Sequence, residues 1–173
     1  MNIITLYNDA YKIHSQNNPK DVEEKFKNLL SHGFVQMENY LKTAMDNYDE
    51  NLFYMVQKLL AFLILADGEN YSGEMSAYNK YCEWAGFQPL TPDQLFKVVK
   101  RTSIDELKGI VSVIKQSRSH MSENNYVCFV LSLCYMSLFG DKEVDENEYY
   151  LITALCDPRY DHIPTWEQFK KEF

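Results

Sequence analysis

Glycine and proline are scarce in this chain of 173 residues, at six and five respectively. So thin a supply of turn formers excludes a turn-rich β-sandwich, a collagen-like repeat and a low-complexity linker. Basic side chains are outnumbered, with 17 Lys and Arg against 25 Asp and Glu. The resulting net charge of −8 argues against a nucleic-acid backbone or an anionic membrane surface as partner. No two of Cys82, Cys128, Cys134 and Cys156 form a C-x-x-C pair, so the usual zinc and redox spacings are missing. These cysteines read as free, buried thiols of a reducing cytosol. The longest uncharged run, residues 124–140, contains Asn, Ser and Cys and falls short of the ~20 apolar residues a spanning helix needs. The first residues lack the basic start and apolar core of a signal peptide. A cytoplasmic protein without membrane insertion is the expectation.

What the chain has instead is aromatic and helical. Thirteen Tyr and ten Phe stand in a composition that is 46% hydrophobic. At this length a single core removes about 70% of the chain's surface from water, so one domain spanning 1–173 is expected. Val22, Phe26, Leu29, Leu30, Phe34, Met37, Leu41 and Ala44 recur at three- and four-residue steps, with His32-Gly33 as a candidate break. Ile104, Leu107, Val111 and Ile114 make a second stripe, with Lys108 and Lys115 on its wet side. Thr91-x-x-Gln94, Ser103-x-x-Glu106 and Thr165-x-x-Gln168 carry the capping-box pattern, in which a hydroxyl and a side chain three residues on satisfy free helix amides reciprocally. These signals predict an all-α fold of seven or eight helices with short connections.

The chain also matches itself at an offset of 74. Asp67, Glu69 and Glu74 fall on Asp141, Glu143 and Glu148; Leu59 falls on Leu133 and Cys82 on Cys156. Two pseudo-symmetric helical units, about 30–83 and 104–157, are therefore expected, with residues 1–20 and 158–173 peripheral to them. Each unit reads as an amphipathic helix, an apolar helix, an acidic loop and an aromatic-rich helix. Packing Leu52–Leu65 against Tyr126–Phe139 about an approximate two-fold axis would hide both apolar helices, and Leu60→Asp or Leu131→Asp should then abolish soluble expression.

The run Leu65-Ala66-Asp67-Gly68 to Glu74, an apolar helix entering an acidic loop and a second helix, resembles the TerB-like group of tellurite-resistance-associated proteins. The second copy, Phe139-Gly140-Asp141 to Glu148, keeps both acidic anchors but has Lys142 where the pattern has Gly. The likeness covers roughly residues 25–157. It implies an all-α fold of two related halves, acidic loop residues that bind a metal cation, and a stress-linked accessory role without enzymatic activity.

Eight of the 25 carboxylates fall in residues 67–74 and 141–148, where an even spread would put about two. Asp67, Glu69, Glu74, Asp141, Glu143, Asp145 and Glu148 offer hard oxygen ligands suited to Ca²⁺ or Mg²⁺. No EF-hand is present, because the sixth and twelfth positions from Asp141 are Glu146 and Ile152. Helix capping competes for the same groups: Asp145 with Glu148 three residues later is a cap pattern, and carboxylates in a first turn offset its partial positive charge. A third reading makes the acidic surface a docking patch that neutralises a basic protein partner.

Catalytic patterns are missing. His14, His32, His120 and His162 are scattered outside any Glu-x-x-His or His-Glu-x-x-His arrangement, and no G-x-S-x-G or phosphate-binding loop occurs. A non-enzymatic protein is expected. His32 and His120 read as helix-end residues. Tyr78, Tyr81, Trp84 and Phe87, with Tyr149 and Tyr150, recur at helical spacing as core or as a groove. Trp166, Phe169 and Phe173 share one face of a closing helix; left exposed, that face would support a homodimer.

Overall fold

Asn2 opens the first helix by accepting hydrogen bonds from the amides of Ile4 and Thr5. In the computed structural model, which describes residues 1–44, 52–66 and 72–173, the chain is all-α. Nine α-helices stand among the described residues: α1 (Ile3–Gln16), α2 (Pro19–Ala44), α3 (Leu52–Ile64), α4 (Ser72–Ala85), α5 (Pro92–Arg101), α6 (Ile104–Ser117), α7 (Glu123–Met136), α8 (Glu146–Thr153) and α9 (Trp166–Glu172). A 3₁₀ turn, Arg118–His120, follows α6. The only β pairing among these residues is an isolated bridge between Asn2 and His162.

Two of the three expected capping boxes close, at Thr91/Gln94 and Thr165/Gln168. The third closes by half. Ser103 Oγ accepts from the Glu106 amide at 3.1 Å, but the Glu106 carboxylate turns outward to Lys58 of α3 and ties two helices together instead.

Gly33 does not break α2, which runs through 26 residues. The glycine marks where α2 crosses α7: a Cβ there would sit 2.7 Å from the Cβ of Phe129. Without it the two helices could not approach so closely. His32, inside α2 rather than at a helix end, bonds Asn125 Oδ1 at 2.6 Å beside the same crossing. Val22, Phe26, Leu30, Met37 and Leu41 of the stripe are buried, whereas Ala44 is exposed.

α7 consequently packs most extensively along α2, and only a lesser contact joins it to α3. The expected central pairing of residues 52–65 with 126–139 is thus displaced by one that a small side chain permits. The corresponding helices are unequal, 26 residues in α2 against 14 in α6 and 14 in α4 against eight in α8. These packings do not show the expected two-fold relation. Leu60 and Leu133 are fully buried, but Leu131 is only half-buried, so Leu133 rather than Leu131 is the core position of α7.

The ends of the chain are not peripheral. Ile3, Leu6, Tyr7 and Ala10 of α1 lie in the core, and Phe169 of α9 is buried between the rings of Tyr7 and Tyr149, at centroid distances of 5.0 and 4.6 Å. Backbone bonds from Ile3 to His162 and from His162 back to Met1 join the two terminal segments. Under that junction the Asp161 carboxylate takes the Met1 ammonium at 2.7 Å and both terminal nitrogens of Arg118. The terminal segments enter the core because their apolar stripes find each other, which an alignment of internal units cannot register.

Candidate functional site

The acidic residues of the second segment are placed by local backbone chemistry. Asp145 caps α8: its Oδ1 accepts from the Asn147 amide at 2.7 Å. Glu148 reaches back to the Asp145 amide at 2.9 Å and completes a capping box. Asp141 Oδ1 accepts from the Glu143 amide at 2.8 Å, turning the chain at Lys142, whose φ of 65° is left-handed. Glycine adopts that conformation at no steric cost, and Lys142 is the one described non-glycine residue that takes it. Asp141 and Glu143 are exposed, Asp145 is half-buried and Glu148 is buried.

Glu74, also buried, lies in the first turn of α4. Gly140 and Gly73 pack this turn against the end of α7. A methyl on Gly140 would stand 2.6 Å from Glu74 Oε1, and one on Gly73 would stand 2.5 Å from the Phe139 carbonyl oxygen. The two acidic segments therefore meet through Glu74 and Gly140. Asp67 and Glu69 lie outside the described residues. Among the described residues no three His, Cys, Asp or Glu side chains stand together in an arrangement able to hold a metal ion. The described carboxylates do not by themselves gather into a Ca²⁺ or Mg²⁺ cage; Asp141, Asp145 and Glu148 each direct one oxygen at a backbone amide.

A different surface stands out. The stripe on α6 is only partly covered: Ile110 and Ile114 are buried and Leu107 and Val111 half-buried, while Ile104 remains 73% exposed. Ile104, Leu107 and Val111, with Phe62 and Leu65 at the end of α3, Val99 of α5, and Tyr150 and Leu151 of α8, line an open apolar groove of about 550 Å³. Tyr150 is 54% exposed there, whereas its neighbour Tyr149 is fully packed and donates to the Pro164 carbonyl at 2.5 Å. Of the other aromatics, Tyr78 and Tyr81 are core residues and Trp84 and Phe87 are partly exposed. Sequence periodicity announced the α6 stripe but assigned it to the core.

Burial dominates the cysteines. It pushes the thiols of Cys82, Cys128 and Cys134 up and that of Cys156 to about 12, so none is poised as a thiolate. Among the described residues no helix is long and apolar enough to cross a membrane. No family model, no curated protein and no solved structure matches this chain.

Proposed function

We propose that the chain is a non-enzymatic, cytosolic, TerB-like accessory protein that acts by contact with a partner seated on the α3–α5–α6–α8 face. The observation that supports this reading is the open apolar groove with Ile104 and Tyr150 at its rim. Each large apolar side chain left in water forgoes about 1.5–3 kcal/mol that burial would return. A contiguous patch of that kind on a small domain is the usual mark of a binding surface. The TerB-like part of the reading draws only on the pattern from Ala66 to Glu74.

The test is uptake of the apolar dye bis-ANS by the native protein, compared with Ile104→Asp. Because Ile104 is mostly exposed, that variant should keep its helical spectrum and melting temperature while losing most of the dye signal. Undiminished uptake in the folded variant would remove the reading. A concentration-dependent dimer that Ile104→Asp dissociates would assign the groove to a second copy of the chain.

A divalent-cation role for the acidic segments draws support from the Glu74–Gly140 contact, which puts the two segments side by side. Equilibrium dialysis with Ca²⁺ and Mg²⁺ tests it: saturable uptake lost in Glu74→Gln supports it, and no uptake removes it. The exposed carboxylates Asp141, Glu143 and Glu146 would equally suit a basic partner, a complex that should weaken steeply with salt.

A further inference from the structure

We infer that the occupant of the groove is an amphipathic helix of a partner protein whose apolar stripe gives way to carboxylates at one end; this rests on the reading of the groove as a docking surface. The groove does not stop at its apolar floor. Lys108, Val111 and Ala154 belong also to an adjoining cleft of about 910 Å³, so the two form one continuous trough across α6 and α8. In that second stretch Lys108, Lys115, Arg118 and Arg159 converge, in a chain whose net charge is −8.

Two of these cations are already committed. Arg118 is held by Glu123 and Asp161, and Arg159 by Asp157. The carboxylates that line the cleft, Glu123 and Asp157, are thereby used up on the arginines. Lys108 and Lys115 form no ion pair with any described residue and stand seven residues apart, two turns along one face of α6. The trough is thus apolar at Ile104, Leu107 and Tyr150, carries Lys108 where its two stretches join, and runs on to Lys115 in the cleft.

Its dimensions suit a helix. From Ile104 to Lys115, α6 rises about 16 Å, or three turns, and an occupant about 10 Å across would touch α6 and α8 together. Among the described residues both stretches are open clefts, so a single acyl chain would leave much of its surface wet. The negative charge elsewhere on the chain disfavours an acidic segment, while the two lysines without an ion pair to a described residue favour one here. Charge therefore fixes both the place and the direction in which the helix lies.

The test uses two fluorescein-labelled peptides of about 16 residues, each with leucines along one helical face. One carries three glutamates in its last turn and the other three lysines. Fluorescence polarisation at about 50 mM NaCl should give at least roughly tenfold tighter binding for the acidic-ended peptide. That preference should shrink at about 300 mM NaCl and vanish in Lys108→Glu/Lys115→Glu, whose fold is checked by circular dichroism. Equal affinities for the two peptides, or a preference that survives the double substitution, would overturn the proposal. If palmitate displaces bis-ANS and neither peptide does, the occupant is a lipid: the proposal fails while the docking surface stands. If the native protein takes up no bis-ANS, the docking reading itself fails.

Discussion

His14 gives the fold a built-in sensitivity to mild acid. It sits on the inner face of α1, bonded through Nε2 to the Tyr135 carbonyl at 3.0 Å and edge-on to Phe139 at 4.7 Å. Burial drives its pKa down from 6.5 to about 4; the Tyr135 bond opposes this shift and the positive charge of Lys142 adds to it. The imidazole is neutral in the folded chain and takes a proton sooner in the unfolded one. The stabilisation is therefore whole above pH 6.5 and drains away as the pH falls toward 4. With those two pKa values, linkage gives a loss of about 2 kcal/mol between pH 7 and pH 5. Urea denaturation at the two pH values should show this loss in the native protein. It should be nearly absent in His14→Gln, which cannot titrate and retains an amide donor. Equal losses in both proteins would refute the argument that His14 is held neutral by burial.

Three further perturbations follow from the packing. Gly33→Ala gains about 1 kcal/mol of helix propensity but forces α2 off α7 at Phe129; overpacking of about 1–3 kcal/mol should win, giving a lower urea midpoint. Leu133→Ala should cost about 2–5 kcal/mol, and Leu131→Ala distinctly less, in the same assay. Asp161→Asn should lower stability by about 1–3 kcal/mol, because the half-buried Arg118 guanidinium keeps only the exposed Glu123 and the Met1 ammonium loses its partner at 2.7 Å. Burial pushes the Asp161 carboxyl up, yet Arg118, the Met1 ammonium and the Asp157 amide together outweigh it and hold the pKa at about 2. The native protein should accordingly lose this contribution as pH falls from about 4 through 2, and Asp161→Asn should lack that acid limb.

Much of the local structure was legible in the sequence. The stripes predicted helices, and the cap patterns at Thr91, Thr165 and Asp145 placed helix starts because capping is decided within four residues. What periodicity does not encode is which remote face a stripe meets. Gly33 read as a break because a helix-interior glycine is costly in isolation, while its benefit, the crossing with Phe129, depends on a helix some 90 residues further on. His32 misled for the same reason. The burial of residues 3–10 and of Phe169 depends on the two ends pairing through Met1 and His162, which self-alignment cannot reveal. Lys108 and Lys115 looked like ordinary solvated charges. Only the placement of α8 beside α6 makes them part of an apolar trough.

The central claim is that this trough is where the protein meets its partner. The most direct measurement is an amide chemical-shift titration of the ¹⁵N-labelled chain with the acidic-ended helical peptide. The account predicts saturable shifts at Leu107, Lys108, Val111, Lys115, Tyr150 and Leu151, with the exposed faces of α2 and α4 unmoved. Shifts gathered on α2 and α4, or centred on residues 141–148 with α6 silent, would contradict it.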